Sequence, residues 1–341
     1  MTKVSKSSIA KIRKLRKNKP QVADLSKSII EGDAIALSRG ITMIESQSKL
    51  TSQQADELVS RCLPHCVNSL RIGITGVPGV GKSTFIEAFG NLLTDKGHRV
   101  AVLAVDPTSS LSKGSILGDK TRMESLVKNK NAFIRPTASG SSLGGVAQKT
   151  RESIILCEAA GFDVVIVETV GVGQSETSVH GMTDFFLLLK IAGAGDELQG
   201  MKRGIIEMAD MIAINKADGE NQRAAEKAKA EFNRALHLYP KKESGVDACV
   251  KLCSSLTHMG LDDIFNGIKN YQNTTLDNGY FRLKRKQQNK HWFLQTIEAQ
   301  LKNDFFNHQE TQQNFDNYLK KINNSEMTPF QAAEKLLRRI K

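Results

Sequence analysis

The stretch "GVPGVGKST", Gly76 to Thr84, decides the fold. Its frame, Gly76-x-x-x-x-Gly81-Lys82-Ser83, is a complete phosphate-binding loop, preceded by the apolar run "LRIGIT" and followed by the helical pattern "STFIEAFGNLL". The motif needs that setting, because it aims backbone N–H groups at phosphate from the start of a helix. Gly76, Val77, Pro78, Gly79, Val80 and Gly81 form the backbone cradle, Lys82 adds positive charge and Ser83 offers a magnesium ligand. Thr84 completes the predicted nucleotide-binding set.

Around the loop, β-branched apolar runs alternate with helical segments. The runs are "LRIGITG", "HRVAVLAVD", "AFIRPTA", "FDVVIVETVG", "DFFLLLKIAG", "DMIAINKAD" and "DACVKLCSS". Runs of this kind fit strands buried on both faces of a mainly parallel sheet. The expectation is an α/β P-loop NTPase fold with helical extensions at both ends. In such sheets ligands gather beyond the carboxyl ends of the strands, which is where the remaining motifs fall.

"NKAD", from Asn215 through Lys216 to Asp218, closes one of those strands. A carboxylate there can accept from guanine N1–H and the exocyclic amine, whereas adenine would leave it unpaired. The nucleotide expected is GTP, with GDP as product. Ser254, Ser255 and Leu256 follow the next strand and can reach the base or ribose edge. Magnesium needs oxygen ligands beyond Ser83. Asp106 and Glu168 each end an apolar strand, and Asp119 lies in "SILGDKTRM". A helix cap or a surface charge is the alternative for each, most seriously for Asp119. Thr108 to Gly118 is rich in Ser, Gly and Lys and reads as a loop that orders around a γ-phosphate. The predicted catalytic group is Lys82, Glu168 and Gln174, the last displaced from the place right after Gly171 where a water-orienting glutamine is expected. In-line attack of water is expected, with slow turnover until a partner assists. Arg122, Arg135 and Arg151 are candidates for an arginine finger in cis.

The flanks read as helical. Residues 1–66 form a basic tail and helical arm, in which Asp33 reads as the N-cap of "AIALSRGITMIES". Residues 67–269 form the nucleotide domain, and 270–341 a C-terminal helical arm. In that arm Leu294, Ile297, Leu301 and Phe305 recur at helical spacing, and Thr328-Pro329 starts the last helix. An apolar helix face outside a finished α/β sandwich packs on the parent domain or calls for a partner.

The formal charge is +12, but eight basic residues and no acid fall within the first twenty, leaving +4 for the rest. The basicity is a tail property and not a nucleic-acid-binding face. Such a tail is a solvated terminus of a bacterial cytoplasmic protein or a transit peptide leading to the mitochondrial matrix. "DFFLLLKIAGAG" is the best apolar run and Lys190 interrupts it, so no membrane association is expected. "CLPHC", Cys62 to Cys66, is poor as a metal motif, and buried reduced thiols explain it better.

Taken in order, "GITGVPGVGKST", "AVLAVDPTSS", "GSILGDKTRM", "LGGVAQKTRE", "CEAAGFDVVIVETVGVGQSE", "GAGDELQG" and "NKADG" resemble the ArgK/MeaB-type GTPases, chaperones of adenosylcobalamin-dependent methylmalonyl-CoA mutase. "PHCVNSLRIG" and "TPFQAAEKLL" extend the resemblance over nearly the whole chain. It implies a homodimer joined in part by the C-terminal arm. It implies that GTP binding and hydrolysis gate cofactor loading and protect the mutase, without a cobalamin site on this chain. It places Asp106, Asp119 and Glu168 in the metal and catalytic group, Asp218 on guanine, and a switch at Val170 to Glu176. The sequence departs at Lys113-Gly114 and at His258, where relatives commonly carry glycine. Two other functions remain in view: a GTP-dependent kinase of a small molecule or protein, and a metal-delivery GTPase, for which only "CLPHC" is available.

Overall fold

The computed structural model describes residues 21–46, 48–105, 123–137, 143–169, 175–193 and 203–338. Seven strands form one sheet: β1 (Leu70–Gly76), β2 (Val100–Val105), β3 (Ala132–Thr137), β4 (Val164–Thr169), β5 (Phe185–Ile191), β6 (Met211–Asn215) and β7 (Cys249–Leu252). Every pairing is parallel and the order is β3-β2-β4-β1-β5-β6-β7. All seven apolar runs picked out in the sequence are strands.

Period-two alternation explains why the runs are apolar throughout. Leu187 and Leu189 enter the core on one face of β5, with Ile72, Ile74 and Phe85, while Leu188 enters the other with Ile212, Ile214 and Phe232. Helices α4 (Lys82–Asp95) and α10 (Leu261–Asp277) cover the first face; α8 (Arg203–Met208) and α9 (Gln222–Leu236) cover the second. Lys190 follows Leu188 onto the second face, where it is buried with its ammonium 5.6 Å from the Phe232 ring centroid. The lysine that breaks the apolar run is therefore a core residue of β5.

At the front, α1 (Val22–Ile30), α2 (Ala34–Glu45) and α3 (Lys49–Cys62) pack on one another and on α6 (Leu143–Ala159), burying Ile29, Leu37, Ile41 and Leu58. Asp33 caps α2, its carboxylate accepting from Ile35 N at 2.8 Å. The short α5 (Glu124–Val127) packs on α4 and β3.

The chain divides into two compact units, the second beginning at Lys286. Helix α11 (Tyr280–Asn307) starts within the first unit, and its Lys284 and Arg285 are bound to the amino edge of the sheet. Arg285 makes a two-pronged contact with Asp184 at 2.8 and 2.7 Å, and Lys284 donates to Asp184 O at 2.8 Å. Asp184 in turn accepts from the Arg71 amide at 2.8 Å, so one carboxylate aligns β1, β5 and α11. The second unit holds the rest of α11 with α12 (Gln309–Asn323) and α13 (Pro329–Arg338). A reciprocal capping box starts α13: Gln331 N donates to Thr328 Oγ1 at 3.2 Å and Thr328 N to Gln331 Oε1 at 3.3 Å. Among the described residues no helix is long and apolar enough to cross a membrane.

Candidate nucleotide site

The phosphate loop turns sharply out of β1 into α4. Gly81 precedes the helix at φ +89°, a left-handed conformation that side chains disfavour, and a Cβ there would sit 2.9 Å from Asn215 Nδ2. At Gly76 a Cβ would lie 2.6 Å from the Leu189 carbonyl of β5. The loop is thus held against its neighbouring strand. Val80 is fully buried and anchors it, whereas Pro78 and Gly79 are exposed and Ser83 half-buried at the first turn of α4. Lys82 is buried, its Nζ donating to Gly76 O at 2.7 Å. Burial pulls its ammonium below the ordinary lysine range, while the carboxylates of Glu168 and Glu176 oppose that and favour the charged form.

Asn215 ties the predicted base-binding segments to this loop. Its Nδ2 donates to Val80 O at 2.9 Å, and its Oδ1 accepts from the Ser255 amide at 3.1 Å and the Ser255 hydroxyl at 2.8 Å. Lys216, at φ +58°, reaches across the loop to donate to Gly79 O at 2.9 Å. Asn215 and Ser255 therefore spend their polar atoms inside the protein, fixing the platform. Ser254 is buried in a tight turn and accepts from the Thr257 amide at 3.2 Å. Leu256 stands 75% exposed beside it, an apolar surface at the rim. Asp218 is half-buried, opens the turn Gly219–Asn221 and makes no capping hydrogen bond. His258 takes φ +63°, a left-handed conformation that accounts physically for glycine being suited to that place.

Glu168 lies near the carboxyl end of β4, buried and beside Lys82. Its strand is locked to β1 by the Thr169–Thr75 hydroxyl pair at 2.8 Å. Asp106, Asp119 and Gln174 lie outside the described residues, as do the loop Thr108–Gly118, Arg122 and Lys113-Gly114. Of the predicted switch, Ser175 and Glu176 are described. They open α7 (Ser175–His180), and both are buried. In sequence Glu176 reads only as the end of the switch, with no role given to its carboxylate.

The arginine candidates differ. Arg135 pairs with Glu45 of α2 at 2.6 Å and also donates to Thr42 at 3.1 Å, so its guanidinium is committed to the helical front. Arg151 is buried in α6, which pushes its guanidinium down to about 10. Cys62 ends α3 and Cys66 follows the short turn Leu63–His65, and burial pushes each thiol up to about 11, away from the thiolate that a metal needs. Among the described residues no group of three His, Cys, Asp or Glu could hold a metal ion.

A phosphate loop on a parallel sheet, with an Asn-Lys-x-Asp platform stapled to it, defines a P-loop GTPase. Comparison with known proteins gives the family. Residues 37–310 match the family described as methylmalonyl Co-A mutase-associated GTPase MeaB, and this chain belongs to it. GTPase ArgK of Escherichia coli (strain K12) is 42% identical over 312 residues, covering 92% of this chain and 94% of that protein. A putative GTPase of Caulobacter vibrioides is 49% identical over 284 residues, 83% of this chain and 87% of that one. The mitochondrial methylmalonic aciduria type A homolog of Mus musculus is 39% identical over 326 residues, 92% of this chain and 78% of its own length. Among solved structures, the crystal structure of LAO/AO transport system kinase superposes with a TM-score of 0.74 at 35% identity, covering 95% of this chain and 98% of that one.

Proposed function

We propose that this GTPase gates adenosylcobalamin loading onto methylmalonyl-CoA mutase, or a related B12-dependent acyl-CoA mutase, and protects that enzyme while carrying no cobalamin site itself. The family match over residues 37–310 carries the reading, since it extends well past both ends of the nucleotide domain. Three parts of the reading go beyond that match: slow turnover without the partner, magnesium as the metal, and a homodimer formed through residues 270–341.

Magnesium fits the donor set. Ser83 sits at the start of α4, Glu168 is a buried carboxylate at the rim, and Glu176 adds a buried carboxylate oxygen lacking a hydrogen-bond partner among the described residues. Oxygen donors of this kind suit a hard cation. Ser83 and Glu168, with Asp106 and Asp119, are the residues proposed to hold it, and when bound it would neutralise charge on the β- and γ-phosphates. Lys82 then stabilises the charge that develops at the γ-phosphate, Glu168 orients the attacking water, and Asp218 reads guanine.

The second unit supports the homodimer. Leu294, Ile297, Leu301 and Phe306 are 47%, 39%, 64% and 44% exposed, and Leu301, Phe306, Phe315 and Leu336 line an apolar groove of about 740 Å³. A monomer seldom leaves such a surface uncovered.

Steady-state GTP hydrolysis, measured with and without purified cobalamin-dependent mutases, tests the proposal. A rise of at least about tenfold with one mutase is expected, against a slow basal rate. No binding and no change with any of them would overturn it. Radiolabelled GTP should yield free phosphate only; a labelled acceptor would favour the kinase alternative.

A further inference from the structure

The first turn of α7 carries two buried side chains with unmet hydrogen-bonding needs. Ser175 and Glu176 are each 3% exposed, and Ser175 Oγ and Glu176 Oε2 find no hydrogen-bond partner among the described residues. Helix α7 packs on β4 and β1, the strands that carry Glu168 and lead into the phosphate loop. Lys82 lies within electrostatic reach of Glu176, yet its ammonium donates to the Gly76 carbonyl and not to that carboxylate.

Buried polar atoms without partners are rare, and one that persists points to a group the molecule acquires in another state. An ionised carboxylate only accepts hydrogen bonds, so Glu176 needs a donor. Nucleotide phosphates are acceptors too and bring none. Magnesium keeps several of its waters when it binds alongside phosphates, and those waters are donors.

Resting on the GTPase assignment, we propose that Glu176 is a positioning residue of the nucleotide site, its free oxygen accepting from water on the nucleotide-bound magnesium ion. Glu176 would then act through that water and touch neither the γ-phosphate nor the attacking water. It would tie the start of α7 to the metal.

The experiment titrates magnesium into full-length protein with a fluorescent GDP analogue, comparing wild type with Glu176→Gln. GDP removes the attacking water from the measurement. The magnesium concentration for half-maximal tightening is expected to rise about tenfold or more, as for other partners of metal ligands. Affinity in EDTA should stay the same or improve, because a buried negative charge beside the phosphates is gone. An unchanged magnesium dependence, with or without a lower melting temperature, would overturn the proposal and leave Glu176 a structural residue. Loss of hydrolysis at unchanged magnesium dependence would overturn it as well. If Glu176→Gln fails to fold, Glu176→Asp, which keeps the charge and shortens the reach, is read in the same way. Wild-type protein that binds no guanine nucleotide would overturn the GTPase assignment itself, an outcome distinct from either.

Discussion

Asn215 and Val80, 135 positions apart, are joined by a 2.9 Å hydrogen bond from the side-chain amide to the phosphate-loop carbonyl. The other end of the same amide holds Ser255 through two hydrogen bonds. One buried side chain thus fixes the distance between the phosphate cradle and the segments expected to hold the base. Recognition of the two ends of the nucleotide is expected to be coupled through it.

Asn215→Ala should therefore harm both ends together. Val80 O and the Ser255 groups would be left buried and unpartnered, at about 1–3 kcal/mol for each group not rescued by water. A stability loss of roughly 2–3 kcal/mol is expected by urea unfolding. GDP affinity should fall at least about tenfold, the equivalent of 1.4 kcal/mol. Normal GDP affinity in a destabilised protein would show that the staple serves folding alone.

Asp218→Asn exchanges an acceptor for a mixed amide at a half-buried site that makes no capping hydrogen bond. Guanine would lose one of its two partners and face an N–H in its place. GTP binding should weaken by about 100-fold or more, whereas a xanthine nucleotide, which carries a carbonyl where guanine has its amine, should bind better than it does to wild type. Competition against a fluorescent nucleotide reads both changes. Unaltered discrimination would remove Asp218 from the base site.

Much of this architecture is legible in the sequence because it rests on local chemistry. "LRIGIT" before "GVPGVGKST" states strand, loop and helix in fifteen residues, and each apolar run of β-branched residues is a strand of the sheet. The cap at Asp33 and the capping box at Thr328 are equally local. Long-range relations were not legible. Nothing near Asn215 in sequence shows that its amide is spent on Val80 and Ser255, and nothing near Arg135 shows that Glu45 claims its guanidinium. Lys190 shows the same gap: the run that contains it reads correctly as a strand, but nothing near it in sequence shows that Phe232, from a later helix, lies beside its buried ammonium. Glu176 was legible only as the end of a switch, because its burial depends on α7 folding against β4 and β1.

Glu168→Gln keeps the shape of a buried strand-end side chain and removes its charge. If Glu168 orients the attacking water, single-turnover hydrolysis should drop by about 10²–10⁴ while GTP affinity changes only a few-fold. The ammonium of Lys82 would also lose the main carboxylate that favours its charged form. Rate and binding are measured separately, with GTP in one arm and a non-hydrolysable analogue in the other. Equal losses in both would assign Glu168 a plain binding role.

His180 supplies a pH dependence at the opposite end of α7. It stacks edge-on against Phe186 at 5.4 Å and lines a cavity of about 870 Å³ with Asp210, Lys242, Tyr280 and Lys284. Burial, and then the Lys284 ammonium, push its imidazole down to about 4, with Lys242 acting in the same direction and Asp210 against them. At pH 7.5 the ring is almost wholly uncharged whether the chain is folded or not, so it costs almost nothing there. Below about 6.5 the unfolded chain takes up a proton that the folded protein refuses until about 4. Stability is therefore lost as pH falls through that window, by about 2 kcal/mol at pH 5 relative to pH 7.5. His180→Phe removes the titrating group and should lose correspondingly less between those two pH values, whatever its stability at pH 7.5. Urea unfolding of both proteins at both pH values isolates the histidine from the carboxylates they share. Parallel losses in the two proteins would mean that His180 takes up its proton equally in the folded and unfolded states.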